Sequence, residues 1–118
     1  GTLSEGSSRT YKQDVNILEP QEVLERIAQL KISEWSYIRS PGSRHFGPMA
    51  EDFYALFGLG DGPTSLSPRD LAAVALAASQ ALAESNKKLM ENNESLQTEN
   101  QNLAERLERL EKAFGEFQ

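Results

Sequence analysis

The sequence predicts an α+β chain, mainly α: a small head of two short helices and a β-hairpin, followed by a long C-terminal helix forming a parallel coiled coil. Three observations carry this reading. Leu82, Leu89, Leu96, Leu103 and Leu110 recur by sevens. No proline or glycine interrupts the chain from Arg69 to Ala113. Upstream, two short runs of helical apolar spacing flank a stretch where aromatic and polar residues alternate.

Residues 1–13 are polar and rich in glycine and serine, with one strand-like patch at Thr2 and Leu3. Glu19-Pro20 opens a helix, because a proline at the first helical position removes an N–H that would be orphaned anyway. Val23, Leu24, Ile27 and Leu30 supply its apolar stripe, so the spacing predicts a helix reaching Leu30. Ile32-Ser33-Glu34-Trp35-Ser36-Tyr37-Ile38 reads as a strand. Arg39-Ser40-Pro41-Gly42-Ser43 has turn chemistry, and Arg44-His45-Phe46 completes the hairpin. Gly47-Pro48 breaks that strand and starts a second helix with Met49, Ala50, Phe53, Leu56 and Phe57 on its apolar face. Gly58 is its natural stop.

A Gly/Pro/Asp loop leads to Ser67-Pro68-Arg69-Asp70, which places a capping hydroxyl, a first-turn proline and an acid at the third helical position. The helix that follows should run roughly 45 residues, about 70 Å at ~1.5 Å per residue. With the leucines at d, Asn86, Asn93, Asn100, Leu107 and Phe114 fall at a. The stripe is two positions in seven, narrower than a helix lying on its own globular core usually shows. It persists for five heptads, about 50 Å at ~1.5 Å per residue, longer than a head of ~60 residues could cover. The expected seam is therefore Leu82, Asn86, Leu89, Asn93, Leu96, Asn100, Leu103, Leu107 and Leu110, closed by copies of the same chain.

An asparagine at a forgoes the ~1.5–3 kcal/mol of a buried leucine. It specifies register, because facing anything but another amide leaves buried polar groups unsatisfied. Taken locally, asparagine at a with leucine at d favours two chains. Upstream of the seam, Leu71, Val74, Ala75, Ala78 and Leu82 give a broader face expected to pack on the head as well as on copies. Glu84–Lys88, Glu105–Arg109 and Glu108–Lys112 are i,i+4 pairs that support the helix. Arg106 at g faces Glu111 at e of a parallel neighbour, which favours in-register assembly.

The 118 residues carry a net charge of -6, which argues against nucleic acid or an anionic membrane as partner. With no cysteine and one histidine, neither a disulfide nor a metal site is expected, and no cofactor. No apolar run approaches the ~20 residues of a membrane span. His45 reads as a structural hydrogen-bonding residue. Trp35, Tyr37, Phe53 and Phe57 read as head core. Asp61, within Gly58-Leu59-Gly60-Asp61-Gly62, is a turn residue lacking the alternating oxygen ligands of a calcium loop.

One ordered set of segments goes further. Ser7-Ser8-Arg9-Thr10-Tyr11-Lys12-Gln13-Asp14-Val15 precedes the first helix, then come Ile32 to Tyr37, Arg44-His45-Phe46-Gly47-Pro48-Met49-Ala50-Glu51-Asp52-Phe53, Val74-Ala75-Leu76-Ala77-Ala78, and the heptads. This order closely resembles the C-terminal intramolecular chaperone of the endosialidase tail-spike type, the S74 peptidase domain. The resemblance spans nearly the whole chain, and Gly-Pro-Met-Ala-Glu-Asp-Phe is its most specific part.

The resemblance implies a homotrimer that holds three chains in register while an upstream β-rich shaft of the same polypeptide folds. It implies a phage tail fibre or spike in the virion, folded in the bacterial cytoplasm. Residues 1–6 would then be the end of the shaft with its cleavage site, 7–66 the chaperone head, and 67–118 the long helix and coiled coil. Many members cut themselves once with a Ser/Lys dyad, which falls here on Ser7 and Lys12, with the scissile bond between Gly6 and Ser7. A lysine accepts the serine proton only as the neutral amine, which asks for burial or suitable neighbours. Ser8 departs from the family pattern, standing where self-cleaving members carry aspartate. The competing reading is a non-catalytic coiled-coil adaptor of two chains. A DNA-binding zipper fails, because the stretch before the leucine repeat is alanine-rich rather than basic.

Overall fold

The structure, a computed structural model, describes residues 6–117. The strand-like patch at Thr2 and Leu3, and the shaft end apart from Gly6, lie outside the described residues. The chain is mainly helical, with one two-stranded hairpin and a long C-terminal helix. In order, a 3-10 turn (Arg9–Tyr11) is followed by α1 (Pro20–Ile27), β1 (Ser33–Tyr37), β2 (Ser40–Gly47), α2 (Ala50–Phe57) and α3 (Pro68–Gly115). The described residues fall into two compact units whose boundary in sequence lies between Ala78 and Ser79.

In the first unit, Val23 from α1, Phe53 from α2, and Val74 and Ala77 from α3 are buried together. Ile27, Leu30, Phe57, Leu66 and Leu71 pack around them. The Phe53 and Phe57 rings lie 4.9 Å apart, centroid to centroid, one helical turn from each other. Arg26 ties α1 to α2 by donating from its guanidinium to the Leu56 carbonyl at 3.3 Å. That carbonyl is in the last turn of α2, where the helix dipole favours a cation. Gly58 then ends α2 in the left-handed region, with φ 62°. A residue without Cβ meets no penalty there.

α1 is shorter than the apolar spacing suggests. It stops at Ile27, and Gln29 and Leu30 continue through i→i+3 bonds to the Arg26 and Ile27 carbonyls, each 3.0 Å. Those tighter turns still deliver Leu30 to the core, so the stripe was right while the helix was not.

The hairpin turns elsewhere than its proline and glycine suggest. The reversal is at Ile38-Arg39, and Pro41, Gly42 and Ser43 belong to β2. The pairing Trp35↔His45 gives way to Tyr37↔Ser40, with an irregularity between Trp35 and Tyr37. The extra residues are therefore on β2. Proline has no N–H for the ladder and glycine bends easily, so the turn-forming residues make a bulge instead. Neither Ile38 nor Arg39 has positive φ, so the reversal is not of the primed kind that matches strand twist. The bulge takes up the mismatch.

Two expectations about the aromatic residues are corrected. Phe53 and Phe57 are core, but Trp35 is half-buried and Tyr37 is exposed, both on the hairpin. They form a cluster with His45: its ring lies 4.9 Å from Trp35 and 5.5 Å from Tyr37. His45 thus packs as an aromatic rather than serving as a hydrogen-bonding strut. On the opposite hairpin face, Arg44 pairs with Glu34 at 3.2 Å and donates to Ser36 at 3.4 Å.

α3 spans 48 residues without a break. Its buried positions are Val74, Ala77, Ala78 and Ala81, with Leu71 half-buried. Ala75 and Leu82, expected on this face, are exposed. They lie seven apart on the leucine line, whereas the core selects positions spaced by three and four. The pairs Glu84–Lys88, Glu105–Arg109 and Glu108–Lys112 do not close to ion-pair distance; Arg44–Glu34 is the salt bridge seen among the described residues. Exposed long side chains gain little from such closure. No helix among the described residues is long and apolar enough to cross a membrane.

Candidate functional site

Two regions remain once the core is accounted for: the stretch from Gly6 to Lys12, and the exposed line along α3. The first is built by a single cap. Ser8 is extended (φ -62°, ψ 147°) and its hydroxyl accepts from the Thr10 backbone N–H at 3.2 Å. The same Oγ shares a hydrogen bond with Thr10 Oγ1 at 2.9 Å. The turn closes with Tyr11 N–H donating to the Ser8 carbonyl at 3.0 Å and Lys12 N–H to the Arg9 carbonyl at 3.3 Å. One turn of 3-10 helix reverses the chain enough for Lys12 to reach back, and its Nζ donates to Ser7 Oγ at 2.9 Å.

The structure thus brings together the two residues expected to form the dyad. Ser7 and Lys12 are both exposed. The pair therefore has the contact of a dyad without burial around it. Position 8 supplies an acceptor for the turn. Serine does this as aspartate would.

Tyr11 was not singled out by the sequence reading. Its ring lies against Gly6, where a Cβ would sit 3.4 Å from both Cδ2 and Cε2. The Ser-x-Thr spacing at 8–10 could have flagged the capped turn, and through it the return of Tyr11 over the glycine. Beyond Lys12 the chain is exposed up to Glu19. Asp14 takes the left-handed region at φ 51°, and Asn16 Nδ2 donates to its carbonyl at 3.4 Å. Among the described residues no cluster of three His, Asp or Glu side chains could hold a metal.

The second region is the leucine line. Leu82, Leu89, Leu96, Leu103, Leu107 and Leu110 are each exposed by half or more, and Asn86, Asn93 and Asn100 between them are exposed as well. All the expected seam residues therefore lie on one open surface of one helix.

Residues 7–58 match the family model of the chaperone of endosialidase, Peptidase_S74. That part of the chain is similar to the endosialidase chaperone family. The matched stretch begins at Ser7 and ends at Gly58, the glycine that stops α2. It takes in the capped turn, α1, the hairpin and α2. α3 lies beyond it. The similarity supports a chaperone role. A comparison with curated proteins finds no significant match.

Proposed function

We propose that this chain is the C-terminal intramolecular chaperone of a phage tail-fibre or spike-like protein, acting as a parallel homotrimer. The head, 7–66, follows the end of an upstream β-rich shaft at 1–6, and the helix, 67–118, clamps three copies so that the shafts enter folding in register. The observation that carries this is the continuous exposed line of Leu and Asn on α3 behind an endosialidase-chaperone head. Six leucines at half exposure or more form a face that needs covering, and their heptad spacing fits copies of the same helix.

Self-cleavage at Gly6–Ser7 belongs to the same proposal. With Lys12 as the neutral amine, the Ser7 hydroxyl loses its proton to Nζ as Oγ attacks the Gly6 carbonyl carbon. The carbon–nitrogen bond breaks and the proton passes to the departing Ser7 amine, leaving an ester between Gly6 and Ser7 Oγ. Water hydrolyses the ester to a Gly6 carboxylate and a free Ser7. The 2.9 Å contact supports the pairing. The exposure of both side chains means that neighbouring copies must supply the shielding that favours a neutral amine. Cleavage would then follow assembly and report on it.

Expression of the full chain behind its own upstream segment tests both parts. Sedimentation equilibrium should give three times 13.1 kDa for the chaperone part. Mass spectrometry should find a new N-terminus at Ser7 that is lost in Ser7→Ala and in Lys12→Ala. A product starting at Ser8 would overturn the bond assignment. Persistence of the uncut chain in a proven trimer would leave an assembly module without protease activity. The second reading, a two-chain adaptor, is favoured by asparagine at three successive a positions. A mass of twice 13.1 kDa would establish it instead.

A further inference from the structure

The exposed line on α3 is graded along its length. From Asn86 to Asn100 every a position is an amide and only d positions are leucine. From Leu103 onward the line is Leu103, Leu107, Leu110 and Phe114, apolar at both a and d, and Phe117 follows in the turn just past the helix end at Gly115, with exposures rising from 50% to 90%. Charge follows the same division. The flanking positions Ser85, Met90, Asn92 and Gln97 offer a parallel neighbour no charge at all, and Glu99 faces Ala104. Arg106, in contrast, meets Glu111 of the next copy with opposite sign. Non-directional attraction and charge complementarity are thus both concentrated in 103–117.

We infer that Leu103–Phe117 is where copies of this chain first meet, and that Asn86–Asn100 closes afterwards as a test of register. This rests on the self-association proposed above. An asparagine layer cannot begin an assembly, because its amides gain nothing until the other copies present theirs at the same level, and a misplaced layer buries unsatisfied groups. Leucine and phenylalanine layers attract in any approximate register, since burial of apolar surface is non-directional. Closure therefore runs from the end of α3 towards the head. Copies can join only after 103–117 has been synthesised, by which time every residue of the head exists. A misaligned encounter stalls at Asn100 and can separate before the head is committed.

Contacts present in the rate-limiting step govern association, and contacts formed later govern dissociation. Leu110→Ala and Leu89→Ala remove the same side chain from the same kind of position, so the full chain carrying each is refolded from guanidinium chloride at several concentrations. Circular dichroism at 222 nm follows the helix. Leu110→Ala should slow association about tenfold or more, whereas Leu89→Ala should leave it within about twofold and speed dissociation. Equal slowing by the two, or more by Leu89→Ala, overturns the inference. If Leu110→Ala fails to assemble at all, Asn93→Leu decides. Unchanged association with slower dissociation upholds the inference, and faster association overturns it. A wild-type chain that sediments at the mass of one copy is a different result, because it removes self-association itself.

Discussion

The two ends of α3 obey different rules. Its first turns sit in a core made by the chain itself, where Val74 and Ala77 join Val23 and Phe53. After Ala81 no described residue of the helix is buried, although leucine continues every seventh position. The same helix thus contains a part whose burial is intramolecular and a part whose apolar face has no cover within one chain. An isolated helix of this polarity gains its stability from packing rather than propensity. The head's packing is present in one copy, whereas under the proposed assembly the distal helix would take its packing from others.

Substitutions can break that contrast from either side. The largest effect is expected from Leu89→Pro, which costs about 3 kcal/mol or more in each chain by removing a backbone bond and crowding the preceding turn. Sedimentation should show single copies, while fluorescence of Trp35, the one tryptophan, keeps its native head signal. Loss of the head signal as well would mean that the head also depends on assembly. Phe53→Ala should do the opposite. Phe53 is 2% exposed at the centre of the core, and its truncation should cost about 3–5 kcal/mol. Denaturant melting followed through Trp35 should shift accordingly, with the sedimenting mass unchanged.

Smaller changes sharpen the picture. Gly58→Ala places a Cβ in the left-handed region at φ 62°, a cost of about 1–2 kcal/mol that should lower the head's melting midpoint alone. Arg44→Ala removes a pair whose side chains are 53% exposed on each side. It should cost no more than about 1 kcal/mol, less at high salt, measured in the same denaturant titration.

How much of this was legible in the sequence depends on how local the cause is. α3 was, because proline and glycine are absent and Ser67-Pro68 marks its start. So was the stop at Gly58, since only the residue and its own φ are involved. The pairing of Ser7 with Lys12 was expected from a resemblance in pattern; the capped turn that brings them into contact depends on Ser8 and Thr10, whose hydrogen bonds no pattern announced. The hairpin reversal was misplaced because Pro41-Gly42 suits a bulge as well as a turn, and only the partner strand decides between them. Of the broad face on the first turns of α3, Leu71, Val74 and Ala78 turn inward within one chain, while Ala75 and Leu82 lie on the seven-residue line that stays open there. Tyr37 lies at the surface in a ring cluster with Trp35 and His45, a pairing across the hairpin that needs the strand register to be seen.

A seam spaced by sevens is also a ruler. Inserting one residue after Met90 would rotate everything downstream by ~100°, carrying Leu96, Leu103 and Leu110 off the line of Leu82 and Leu89. Seven inserted residues return the line to within ~20°. If copies pair along this line as proposed, the length of the helix can change only in whole heptads without breaking the seam.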